Sequence, residues 1–298
     1  MSARRFGTDL DDAAAKDYIS RKLHPGMTWA FLECKLLTPV LKDLLVRSSL
    51  PLRAVETTFA PDSTGFSTSR FVRWFDEKYG RERSGKDWVK AHAMTGTKTH
   101  VVTALEILDR DAADCPQFKP LVEKTAENFT IKEVPADKAY LSHDNLELVD
   151  SLGGTAYIPY KTNCVPGKAG TLWEKMFHFY SLNREEFLRK YHQRSNAESA
   201  FSMIKAKFGD SVRSRTDTAM RNEVYCKFIA HNICCVLMSQ VELGIEPIFW
   251  SEQQTESKTE SAAAVTVDAT PETAVADTPE AQEKQTIALQ RGQRCVGA

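Results

Sequence analysis

The sequence lacks any apolar run approaching the length of about 20 residues that crosses a bilayer, and no apolar h-region follows its N-terminus. No membrane-spanning or secretory role is expected. It also lacks a CxxC pair. The seven cysteines are an odd number, and only Cys234 and Cys235 are neighbours, in an apolar stretch. That usage argues against a disulfide framework and reads as reduced, buried thiols of a cytoplasmic protein. Cys226, His231 and Cys234 lie at i, i+5 and i+8. Such spacing on one helix does not converge four ligands, so a structural zinc site is disfavoured.

Large net charge is missing too, since 39 bases nearly balance 40 acids. The balance hides an uneven distribution. From Ser251 onward eight acids face four bases, which leaves 35 bases against 32 acids in residues 1–250. Between Arg184 and Lys227 there are ten Lys or Arg and six acids. A polyanion would therefore meet its basic excess in that stretch. Large apolar residues become scarce after Trp250. Residues 251–298 are mostly Ala, Thr, Glu, Gln and Ser. Such a segment buries too little surface to offset its ordering entropy, and residues 248–298 are expected to be a disordered tail.

What is present begins with helix. Residues 1–50 read as a helical segment, with Asp11 to Ile19, a break at Ser20 to Gly26, and Met27 to Ser48 interrupted near Pro39. Helix, break, helix is compatible with part of a helix-turn-helix DNA reader or with a lead-in packed on the main domain. Arg53 to Phe59 alternates as a strand does, and Asp62 to Ser67 reads as the turn after it. Phe71 to Phe75, Trp88 to Met94 and Thr99 to Leu108 continue an antiparallel meander of three strands. Phe118 to Phe129 reads as helix, Ile131 to Ala136 as a short strand ending on Asp137, Asp144 to Leu152 as helix, and Ala156 to Tyr160 as a last strand. Helices follow over Leu172 to Tyr180, Arg184 to Phe208 and Thr218 to Leu243.

Within the long helix of that series, no Pro or Gly interrupts Tyr191 to Lys205. Tyr191, Arg194, Glu198 and Lys205 follow one another at steps of three, four and seven. On an ideal helix those steps place all four within roughly 60° of one another. Ala197, Ala200, Phe201, Ile204 and Phe208 form an apolar stripe beside them. One face can pack while a phenol, two bases and an acid stand on its shoulder. Taken alone, Arg194 and Glu198 are equally a solvated i,i+4 pair.

The pattern Tyr191-(2)-Arg194-(3)-Glu198-(6)-Lys205 resembles the Y-(2)-R-(3)-E-(6)-K signature of DDE transposases from bacterial insertion sequences. The same family requires two upstream aspartates. Asp62 in Pro61-Asp62-Ser-Thr-Gly-Phe and Asp137 in Ala136-Asp137-Lys-Ala-Tyr140 resemble its two aspartate motifs. Alone, the first is a turn sequence and the second a helix N-cap or loop acid. The resemblance covers roughly residues 45–250 and implies an N-terminally shortened copy. It further implies an α/β, ribonuclease H-like fold, with a mixed five-stranded sheet flanked by helices, over residues 51–247. The order βββ-α-β-α-β-α read above agrees with that fold.

The implied chemistry is DNA strand cleavage and strand transfer by Asp62, Asp137 and Glu198. These three would hold two Mg²⁺ ions, with Mn²⁺ as a substitute. Mg²⁺ prefers carboxylate oxygens, and a pair of ions can clamp an in-line displacement at phosphorus. Tyr191, Arg194 and Lys205 would contact DNA or its phosphates. Double-stranded DNA, at element ends and target, is the implied partner, with a homodimer on it. A catalytically inactive, DNA-binding relic and a ribonuclease H-like nuclease with another substrate are the competing expectations. Trp173 could stack on an unpaired base or pack as an ordinary aromatic. His92, His231 and Asn232 read as structural, and Pro61 is awkward because proline removes a ladder donor from a strand.

Overall fold

The computed structural model describes residues 11–17, 31–68, 88–109 and 111–249. The expected break at Ser20 to Gly26, the strand at Phe71 to Phe75 and the tail from Ser251 onward lie outside the described residues.

Helix α1 spans Leu37–Ser49. Pro39 falls in its first turn, where a missing N–H costs nothing, so it opens the helix where an interruption was expected. A 3₁₀ turn, Leu50–Leu52, ends the segment. The first strand, β1, is Phe59–Ser67. This corrects the reading that placed the strand at 53–59 and ended it at Asp62. The chain keeps turning after Leu52, since the Val55 and Glu56 amides both donate to the Leu52 carbonyl. Gly65 lets β1 continue through what reads as a turn, because a Cβ there would meet the Trp88 indole at 3.0 Å.

Strands β2, Trp88–Gly96, and β3, Val102–Asp109, complete an antiparallel sheet in the order β1-β2-β3. The expected meander is therefore present. Its register pairs Asp62 with Ala93 and Ser63 with His92. After helix α2, Cys115–Ala126, comes strand β4, Glu133–Pro135. Helix α3, His143–Ser151, leads to strand β5, Thr155–Tyr157. The two short strands pair in parallel as a second sheet. Where one five-stranded sheet was expected, a three-stranded and a two-stranded sheet meet through the bridge Thr58–Glu133. The Lys132 amide donates to the Thr57 carbonyl at the same seam.

The same hydrogen bonds remove the difficulty with Pro61. Thr58 faces β2, since its carbonyl accepts from the Thr97 amide, whereas Thr57 and Ser67 bond on the opposite edge. Alternation puts the Pro61 nitrogen on that opposite edge, so β2 loses no donor.

Helices then follow without further strands among the described residues: α4, Leu172–Leu182; α5, Arg184–Tyr191; a 3₁₀ turn, His192–Arg194; α6, Ser195–Phe208; and α7, Asp217–Leu243. The uninterrupted helix expected from Arg184 to Phe208 is thus two helices. Ser195 and Asn196 supply the reason. The Ser195 hydroxyl takes the His192 carbonyl and the Asn196 amide reaches across to the Thr97 carbonyl. The Ser195 bond, to a carbonyl three residues back, competes with regular helix bonding, and the Asn196 bond fixes the start of α6 against the β2–β3 turn.

Each face of the meander buries its own core. Phe59, Met94, Phe118, Leu121, Tyr140, Val149 and Phe187 pack on one side, with β4 and β5. Leu45, Phe66, Ala93, Leu105, Phe201, Ile204 and Phe228 pack on the other, with α1, α6 and α7. Helix α7 is long and apolar enough to cross a membrane. It nevertheless buries Asn222, Lys227, His231 and Asn232, each bonded within the fold. Asn232 matches the Val102 backbone, accepting from its N–H at 2.8 Å and donating to its carbonyl at 2.7 Å.

Candidate active site

Asp62 sits in the middle of β1. Strand alternation puts its side chain on the same face as Phe66, which packs against Phe228 and so toward α6 and α7. A strand paired along its length is a rigid mount, and the Ser63 amide fixes Asp62 Oδ1 at 2.9 Å. Asp137 follows β4 directly and caps the 3₁₀ turn Lys138–Tyr140, accepting from the Lys138 amide at 2.6 Å. The turn carries Tyr140 into the core. Glu198 stands in the first turn of α6, where the helix dipole favours a carboxylate. It is the exposed member of the three, its side chain 57% accessible against 20% for Asp62.

Arg194 joins two of these acids. It closes the 3₁₀ turn before α6, and one guanidinium nitrogen lies 2.7 Å from Glu198 Oε1 while another lies 3.5 Å from Asp62 Oδ2. Tyr191, half-buried at the end of α5, lies close enough to Arg194 to favour its charge. Lys205 lies apart from them. Its ammonium sits 5.7 Å from the centroid of the Phe66 ring, further along the same face. The structure therefore brings Asp62, Glu198, Arg194 and Tyr191 together, sets Asp137 within electrostatic reach of Asp62, and puts Lys205 on the flank.

Charge coupling registers at Asp62. Burial pushes its carboxyl above the ordinary value, and the Glu198 and Asp137 charges push the same way. The Ser63 amide and the Arg194 guanidinium pull it back. Burial works against the charge on Arg194, but Asp62, Tyr191 and Glu198 more than offset it. Tyr140 is raised by burial first, then by Asp114, Asp62 and Asp137. Its hydroxyl is buried with no hydrogen-bond partner among the described residues.

The donor chemistry suits a hard divalent cation, being all carboxylate oxygen with no sulfur or imidazole. Among the described residues no three acids, histidines or cysteines close to metal-holding distance. The positive charge between Asp62 and Glu198 in this structure is the guanidinium of Arg194.

Three residues around the site were missed in the sequence. Glu56, Asn196 and His100 brace the start of α6. Asn196 donates to the Thr97 carbonyl at 2.9 Å, and His100 Nδ1 lies 3.1 Å from the Asn196 carbonyl oxygen. His100 adopts φ 60°, a left-handed conformation uncommon for a residue with a side chain. The turn that carries it is gripped by Glu56, whose Oε1 accepts from the Lys98 amide and from the Thr99 amide and hydroxyl. No spacing rule signals such a brace. The one cue is a lone acid, Glu56, among the small and apolar residues before β1.

Behind β1, the opposite face holds His92, fully buried, with Nδ1 3.3 Å from Asp114 Oδ1. Burial pushes the His92 imidazole down. Burial alone would raise Asp114, but hydrogen bonds from Lys90 and Ser63 hold it below its ordinary value. Trp173 stacks on His143 at 4.1 Å and meets Tyr160 edge-on, so the packing reading fits it. His231 bonds the His100 carbonyl, consistent with a structural role.

Comparison with known proteins bears on this arrangement. The family model described as a transposase DDE domain matches residues 53–233, a span that contains all three acids and Arg194. The probable transposase for insertion sequence element ISA1214 of Archaeoglobus fulgidus is 24% identical over 182 residues. That match covers 61% of this chain and 54% of the relative, so the chain spans about half the length of the curated relative it matches.

Proposed function

Because the chain belongs to the transposase DDE family, we propose that it is a DNA transposase in which Asp62, Asp137 and Glu198 cleave and rejoin strands at the ends of an insertion element. The observation that carries this reading is the convergence on Asp62. A carboxylate mounted in a rigid strand feels two other acids, drawn from β4 and α6, and shares one guanidinium with Glu198. The order of strands and helices, with β4 running parallel beside the start of β1, supports a ribonuclease H-like catalytic domain over residues 51–247.

The three carboxylates would hold two divalent ions, Mg²⁺ or in its place Mn²⁺. Bound there, the ions supply Lewis-acid polarisation of the scissile phosphate and an activated water or 3′-hydroxyl. The residues divide the remaining work. Asp62 is the fixed point, since its strand and the Ser63 amide leave it little freedom. Asp137 is set by its own turn. Glu198, exposed on the first turn of α6, has the reach to adjust to a substrate. Arg194, engaged here by Asp62 and Glu198, carries a forked donor of the kind that suits phosphate oxygens, and Tyr191 lies beside it. Lys205, on the flank, would contact a phosphate away from the cut. Duplex DNA is the partner, held by a homodimer that brings two ends together.

Nicking of supercoiled plasmid in Mg²⁺ or Mn²⁺ tests the reading. The wild-type chain is expected to nick, and Asp62→Asn, Asp137→Asn and Glu198→Gln to fall to background. Nicking by the three variants at the wild-type rate overturns the triad. A wild type that binds DNA without nicking it in either metal leaves the inactive relic.

A further inference from the structure

The guanidinium of Arg194 lies where positive charge is most favoured, 2.7 Å from Glu198 and 3.5 Å from Asp62. Arg194 and Asp62 are 22% and 20% accessible, so solvent screens that pair less than it screens the pair with the exposed Glu198. An arginine held this way cannot also present its fork to a phosphate. We propose that Arg194 is a displaceable internal cation, which neutralises Asp62 and Glu198 when no metal is bound and becomes a phosphate ligand only once it is released. The inference rests on the acidic triad reading and adds a coupling that the triad by itself does not require.

The physical reason is competition for the same negative charge. A divalent ion drawn to Asp62 and Glu198 repels the guanidinium that already sits against both. Metal binding there must therefore offset the loss of the two Arg194 ion pairs, once. That loss is recovered if the freed guanidinium finds a DNA phosphate. Binding of metal and binding of duplex then favour each other, and linkage makes the effect reciprocal. The local structure allows the exchange. Arg194 ends a 3₁₀ turn and precedes α6, so its side chain can swing without breaking regular helix.

Calorimetric titration of Mn²⁺, with and without a short duplex, tests this on the full chain. Arg194→Gln should bind Mn²⁺ about tenfold more tightly than wild type in the absence of duplex, within the usual range of coupling between sites. The gain that duplex gives to Mn²⁺ affinity should be smaller in Arg194→Gln than in wild type. Arg189→Gln removes the same charge from the exposed end of α5 and should leave Mn²⁺ affinity within about twofold, as expected of a solvent-screened charge. If Arg194→Gln binds Mn²⁺ no more tightly than wild type while Asp137→Asn weakens binding or lowers the number of ions bound, the displaceable-cation proposal fails and the triad stands. If Asp137→Asn binds Mn²⁺ with wild-type affinity and stoichiometry, or no chain binds it even with duplex, the triad reading fails and the proposal with it.

Discussion

Glu56 offers a direct test of how the site is braced. Its side chain is wholly buried, and one oxygen accepts three hydrogen bonds from the turn between β2 and β3. The other oxygen, Oε2, has no partner among the described residues. Three bonds at about 1 kcal/mol each, plus about 1–2 kcal/mol for the cavity, give a cost of about 4–5 kcal/mol for Glu56→Ala. That is a large share of the roughly 5–15 kcal/mol that holds a domain together. Glu56→Gln keeps the accepting oxygen and should cost less than about 2 kcal/mol, the price of one orphaned amide. Burial pushes the Glu56 carboxyl above 4.5, against the pull of its Thr99 and Lys98 bonds. The folded chain then holds more protons than the unfolded chain from pH 4.5 upward to the raised value. Wild-type stability should accordingly fall relative to Glu56→Gln as pH rises through that window, then level off. Urea denaturation at a series of pH values reads both effects. Hydrogen exchange adds a local check, since the Lys98 and Thr99 amides should exchange faster in Glu56→Ala. A Glu56→Ala chain within about 1 kcal/mol of wild type, with both amides still protected, would refute the brace. A relative stability that rises with pH would refute the raised carboxyl.

Two further outcomes follow from buried polar groups on α7. Lys227→Met leaves the carbonyls of Phe208, Gly209 and Ser211 without their shared donor and should cost about 2–3 kcal/mol in chemical denaturation, at about 1 kcal/mol per hydrogen bond. Asn232→Ala unties α7 from the Val102 backbone and from Ser48, and should cost about 3 kcal/mol in thermal or urea unfolding.

Much of this architecture was legible because periodicity reports burial. The helices over Leu172–Leu182 and Asp217–Leu243 and the strands over Trp88–Gly96 and Val102–Asp109 lie close to where their patterns put them. The first strand did not. Pro, Asp, Ser and Gly are turn formers by local preference, yet Pro61, Asp62, Ser63 and Gly65 all lie inside β1. Long-range pairing with β2 overrides that preference, and local sequence carries no trace of it. The break before α6 was hidden for the same reason. Nothing in His192-Gln-Arg194 stops a helix, and the bond by which the Asn196 side chain ties the start of α6 to Thr97 is long-range, so local sequence does not report it.

The site divides along the same line. The family resemblance pointed to Asp62, Asp137 and Glu198, and in the structure Asp62 feels the charges of the other two. Spacing on a straight helix also grouped Tyr191 and Lys205 with Glu198. The 3₁₀ turn shifts Tyr191 onto Arg194, and Lys205 settles over Phe66.

The electrostatics of the cluster explain why its members differ. One guanidinium cannot balance three carboxylates. Glu198 is exposed, and water stabilises its charge. Asp137 has the Lys138 amide at 2.6 Å. Asp62 alone has been taken largely from water while facing both other acids, and only one amide and a 3.5 Å guanidinium oppose that. Burial first, and the two neighbouring acids after it, push its carboxyl upward. The deeper placing of Asp62, in the middle of β1, is what the turn-like sequence around it concealed.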